Sequence, residues 1–208
     1  MPKITKREEK RTPKVVIDET PAGSTSPSTV YFNVEFAPRR FLTYSRFDDQ
    51  DWVHVREYLA MGERVYPSKK GVAFTPTRLR ALIARLPEID EQLKEQRTAA
   101  AATTEPQEVS FKTHLGAGIY AGVHSKFNGV DLRRYWAPAK QTSIVPTKSG
   151  IYLPSAQWTA LKEKLDELAK VHPELEMVEE CFHQNQMGFL DCRECLPFGW
   201  AIKDLNEQ

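Results

Sequence analysis

Val130-Asp-Leu-Arg-Arg-Tyr-Trp-Ala137 repeats the pattern of Val53-His-Val-Arg-Glu-Tyr-Leu-Ala60 at an offset of 77, with Val, Arg, Tyr and Ala in common. Downstream, Pro146-Thr-Lys-Ser-Gly-Ile-Tyr-Leu153 answers Pro67-Ser-Lys-Lys-Gly-Val-Ala-Phe74 at an offset of 79. The apolar positions Leu79, Leu82, Leu86 and Ile89 map by the same 79 onto Trp158, Leu161, Leu165 and Leu168. Upstream, Ser45-Arg-Phe47 meets Ser125-Lys-Phe127. A period of this length is too long for a solenoid repeat and fits a small domain present twice.

Each copy reads as strands followed by one helix. Tyr31 to Phe36 and Val53 to Tyr58 alternate and are rich in β-branched and aromatic residues, as half-buried strands are. Asn128-Gly129 predicts a tight hairpin, whereas Asp48-Asp-Gln-Asp51 predicts a longer, acidic turn in the first copy. Gly71 and Gly150 mark a turn or a close backbone approach before the last strand. The first helix is expected to start at Thr75-Pro76, with Thr75 as cap, and to kink or end at Pro87. In the second copy Ser155 is the expected cap.

The rest of the chain sorts around these copies. Residues 1–29 are polar, with too few large apolar side chains to order themselves, and are expected to be disordered. The first repeat spans 30–96, a linker 97–108, the second repeat 109–176 and a distinct tail 177–208. The 208 residues carry a net charge of +1. No apolar run approaches the length of a membrane helix, and Met1 to Lys14 lacks the apolar core of a secretory signal. Three Cys, all between Cys181 and Cys195, point to a reducing compartment and not to a disulfide scaffold.

The order of strands, hairpin, Val130 to Trp136, basic loop, Lys148-Ser-Gly-Ile-Tyr-Leu153, Gln157-Trp158 and Leu161-Lys-Glu163 resembles the single-stranded-DNA-binding transcriptional coactivators called positive cofactor four. The first copy resembles them more weakly, through Val53 to Tyr58, Lys69-Lys-Gly-Val72 and the helix. The resemblance implies an α+β fold, each copy a four-stranded antiparallel sheet followed by a helix. It implies that members dimerise through the helices and grip single-stranded DNA in channels of paired β-ribbons. Two copies in one chain then imply an intramolecular pseudo-dimer, with a further homodimer open.

Charge is unevenly placed. Residues 110–153 hold Lys112, Lys126, Arg133, Arg134, Lys140 and Lys148 against Asp131 alone, a balance of +5. Residues 31–75 balance at +1 and the tail at −4. Single-stranded nucleic acid requires a positive groove and flat aromatic faces. The second copy offers Lys126, Phe127, Arg133, Arg134, Trp136, Lys140 and Lys148, and the first offers Arg46, Phe47, Arg56, Lys69 and Lys70. Strand alternation puts Val130, Leu132, Arg134 and Trp136 on one face and Asp131, Arg133 and Tyr135 on the other. Trp136 is therefore either a stacking platform or a core residue, and Tyr135 and Tyr58 read as packing residues. The acidic turn of the first copy predicts that the second copy dominates binding.

In the tail, Cys181, His183, Cys192 and Cys195 have the ligand types of a tetrahedral zinc site, and buried free thiols beside a surface His are the other reading. No cofactor is required, and a structural zinc is left open. No nucleophile motif or phosphate-binding loop is found, so the chain is expected not to be an enzyme. The expected function is non-catalytic binding of single-stranded DNA, with RNA or melted duplex also open. It would act in transcription or replication beside their proteins, in the nucleus or in the cytoplasm of a cell without one. The alternative is a protein–protein scaffold, or polymerase-associated factor, that keeps the fold with little DNA binding.

Overall fold

The computed structural model describes residues 14–15, 28–61, 64–102, 110–124, 127–136, 138 and 144–179. Two antiparallel sheets are each followed by a helix. The first holds β2 (Thr29–Ala37), β3 (Arg40–Phe47), β4 (Gln50–Met61) and β5 (Arg64–Phe74), ordered β5-β4-β3-β2. A two-residue strand, β1 (Lys14–Val15), from the N-terminal segment expected to be disordered, joins it in parallel beside Arg64 and Val65 of β5. The second sheet runs β6 (Ser110–Gly116), β7 (Ile119–His124), β8 (Gly129–Trp136) and β9 (Val145–Pro154). Helices α1 (Pro76–Ala102) and α2 (Ser155–Val171) follow β5 and β9, and Pro173–Glu176 adds a 3₁₀ turn.

The registers of the two sheets coincide. Phe41 pairs with Arg56 and Arg56 with Gly71, while Tyr120 pairs with Arg133 and Arg133 with Gly150. Each sheet carries a bulge at the same place, between Arg56 and Tyr58 and between Arg133 and Tyr135. The glycines opposite mark a close backbone approach. A Cβ on Gly71 would sit 2.7 Å from the Val55 carbonyl oxygen, and one on Gly150 would sit 2.8 Å from Cγ of Arg133.

Both sheets and both helices close on one apolar core. Leu42, Val53, Val55 and Phe74 of the first sheet and Ala121, Val130, Leu132 and Leu153 of the second face Leu79, Leu82, Ile89 and Leu93 of α1. Trp158, Leu161, Leu165 and Leu168 of α2 complete it. Each helix reaches into the other repeat: α1 packs on β6 and β7, and α2 on β2 and β3. Asp90 of α1 joins the helices. Its carboxylate accepts the Trp158 indole N–H at 2.7 Å and pairs with Lys162. The Gln96 amide donates to the Val123 carbonyl at 3.0 Å. Burial of Trp158, 1% exposed, contributes about 1.5–3 kcal/mol through its area alone.

Four local expectations are corrected. Helix α1 does not end at Pro87 but runs on to Ala102. One missing N–H is tolerated because buried Leu79, Leu82, Ile89 and Leu93 hold the helix on both sides of the proline. Between the second and third strands, the two-residue hairpin is in the first copy. Asp48 and Asp49, with φ of 52° and 57°, form a two-residue turn between β3 and β4, a conformation that Asp tolerates. Gly129 is instead the first residue of β8, and a Cβ there would meet the Leu153 carbonyl oxygen. At α2 the cap position is Pro154, with no side-chain cap, and Ser155 is the first helical residue.

Candidate nucleic-acid interface

Alternation leaves each sheet an outer face, opposite the helices. On the second sheet this face carries Lys112 and His114 from β6, Tyr120 and His124 from β7, Asp131, Arg133 and Tyr135 from β8, and Tyr152 from β9. Lys112, Phe127, Arg133, Tyr135, Tyr152 and their neighbours line a groove of about 620 Å³. Tyr120 and Tyr135 meet edge to face at 5.1 Å, and the Lys112 ammonium lies 4.3 Å from the Tyr135 ring centre. Phe127, 59% exposed, stands 5.9 Å from Tyr152. Burial raises the hydroxyl pKa of Tyr120, Tyr135 and Tyr152.

Arg133 is fully engaged in this groove. Its Nε and Nη2 donate to the two oxygens of Asp131 at 2.8 and 2.9 Å, and its Nη1 donates to the Thr147 carbonyl at 2.9 Å. The Asp131 hydrogen bonds hold its pKa above the ordinary value. The equivalent Arg56 makes the same carbonyl contact, donating to Ser68 O at 2.7 Å. His54 takes the place of Asp131 there, and Arg56 has no carboxylate partner among the described residues.

A smaller cleft of about 170 Å³ lies where the repeats meet. Arg56, Lys69, Gly71 and Ala73 of the first repeat and Ile119, Arg134 and Ser149 of the second line it. Lys69 and Arg134 are exposed, and neither is in an ion pair among the described residues. Among the described residues the cleft therefore gathers three cations and no acid. An unpaired guanidinium can form short, charge-assisted hydrogen bonds to phosphate oxygens that a paired one cannot.

Each expected site residue has a definite place except six. Lys126 and Lys140 lie outside the described residues, as do Cys181, His183, Cys192 and Cys195 of the expected zinc site. Arg46 grips Asp51 through two hydrogen bonds, of 2.9 and 3.2 Å, at the acidic hairpin beside half-buried Phe47. Lys70 pairs with Glu57 at 3.1 Å. Lys148 is exposed on β9. Trp136 is 56% exposed, whereas Tyr58 and Tyr135 are buried. The structure thus brings Arg56, Lys69 and Arg134 together, and Phe127 with Arg133, but not the whole set. Lys112 and Tyr152 were missed as groove residues. Their signal was present in the alternation of β6 and β9, which puts both on the face of Arg133.

Residues 35–85 are similar to the family described as transcriptional coactivator p15 (PC4). The match covers the end of β2, the three following strands and the start of α1. It falls on the first repeat, the copy with the weaker motif resemblance. No curated protein and no solved structure matches the chain. The match coincides with the half that supplies Arg56 and Lys69.

Proposed function

We propose that the protein is a non-catalytic single-stranded-DNA-binding factor of transcription or replication, working in the nucleus where the cell has one. Its two repeats, a tandem duplication, act as a pseudo-dimer within one chain. The observation that carries this reading is the convergence of Arg56, Lys69 and Arg134 from both repeats on one acid-free cleft. The aromatic groove of the second sheet supports it, since bases stack on flat faces while phosphates seek unpaired cations. Stacking and phosphate contacts do not read base edges, so sequence-independent binding dominates.

Competition among single-stranded DNA, duplex DNA and RNA, repeated across a salt titration, tests the proposal. Tight, salt-sensitive binding with preference for the single strand is the expected result. No binding at low salt would replace this reading with the protein–protein scaffold, and preference for RNA would change the ligand.

A further inference from the structure

Because the two sheets share one register, every residue of the cleft has an equivalent at the opposite junction of the repeats. Arg133, Lys148 and Gly150 stand for Arg56, Lys69 and Gly71, and Arg40, Glu57 and Lys70 stand for Ile119, Arg134 and Ser149. A protein of two identical halves would have two identical junctions. This chain does not.

At the opposite junction Glu57 occupies the place of Arg134, and its carboxylate takes Lys70 at 3.1 Å and Arg40 at 3.5 Å. Arg40 replaces the apolar Ile119 and spans the repeats, donating to Tyr152 O and to Gln157 Oε1, both at 2.6 Å. Arg133 is held by Asp131. The cleft at one junction is thus replaced at the other by two ion-paired clusters and a direct bridge, which leave Lys148 as the exposed cation there. A phosphate arriving there would have to break ion pairs, and it would meet the like charge of Glu57.

We infer that the chain takes a single nucleic-acid strand, its phosphates held at the Arg56, Lys69 and Arg134 junction, while Glu57 closes the other. The inference rests on the proposed single-strand binding and specifies its stoichiometry. Native mass spectrometry of the full chain with an oligothymidine of about ten nucleotides reads it directly, a length within the usual site size. The expected complex is one strand per chain, with any second strand bound at least about tenfold more weakly, as losing several phosphate contacts requires. Glu57→Arg, which installs the residue found at the open junction, should admit a second strand. Glu57→Gln, a gentler change that removes the like charge and frees Lys70, should do the same if the first variant fails to fold. Arg134→Glu should weaken the first strand at least about tenfold at low salt. Two strands bound to the unaltered chain within tenfold of each other would overturn the inference, as would unchanged stoichiometry in folded Glu57 variants. Failure of the unaltered chain to bind any strand would instead reject the proposed function itself.

Discussion

Arg134→Ala tests the cleft with little risk to the fold. The side chain is exposed and makes no ion pair among the described residues, so its loss should move stability by no more than about 0.5 kcal/mol. Each phosphate neutralised on a single strand contributes about −0.7 to the slope of log affinity against log salt. The cleft of Arg56, Lys69 and Arg134 then contributes about −2.1, and the variant retains about −1.4. Between 50 and 200 mM salt, the cleft's part of the affinity falls about eighteenfold in the unaltered chain and about sevenfold in the variant. Fluorescence anisotropy of a labelled oligothymidine over that range measures both slopes, and contacts elsewhere cancel in the difference. Parallel lines would refute the assignment of Arg134 to a phosphate, however much the absolute affinity changed.

Three further outcomes are expected. Trp158→Ala removes the largest buried side chain shared by the helices, and should lower unfolding free energy by about 3–5 kcal/mol in urea titration. A loss under about 1 kcal/mol would contradict a core common to both repeats. Trp136→Ala should leave the melting temperature unchanged and weaken single-strand binding by about 1–3 kcal/mol, and unaltered affinity would remove its stacking role. Stability should also decline as the solution is made alkaline. Burial, then the charge of Asp51, pushes the Tyr44 hydroxyl up to about 12, while an unfolded tyrosine titrates near 10. Between those values the folded chain holds a proton that the unfolded chain has lost, so stability is full below about 10 and falls as pH rises toward 12. Tyr120, Tyr135 and Tyr152 shift the same way. Denaturation midpoints measured from pH 8 upward check this, and a midpoint rising from 10 to 12 would contradict it.

The repeat made the architecture legible because the same apolar spacings recur at one offset, and a helix stripe or a strand alternation is a pattern in the chain itself. Turn geometry was not legible in the same way. Asn-Gly is the commoner sign of a tight hairpin, but Gly129 is required by the nearby Leu153 carbonyl, and an Asp pair makes the tight turn instead. The helix beyond Pro87 depends on partners from the other repeat, which no local propensity contains. For the site, summed charge identified basic segments but not which cations are available. Asp131 lies two residues from Arg133 on the same strand face and captures it, while Arg56, in the more acidic segment, has only His54 at that position. The expected dominance of the second copy rested on the acidic turn of the first. The unpaired cations of the cleft come from both copies.

The presence of two structurally equivalent halves in one chain has a consequence for how such a protein can change. In an assembly of two identical subunits, any substitution is made twice, and a residue useful at one junction is imposed on the other. Here Arg134 and Glu57 sit at equivalent positions and are encoded separately. One half can therefore be altered independently of the other, while the shared core keeps both halves folded. Mutational tolerance should accordingly be mapped half by half, since each pair of equivalent positions answers to two different demands.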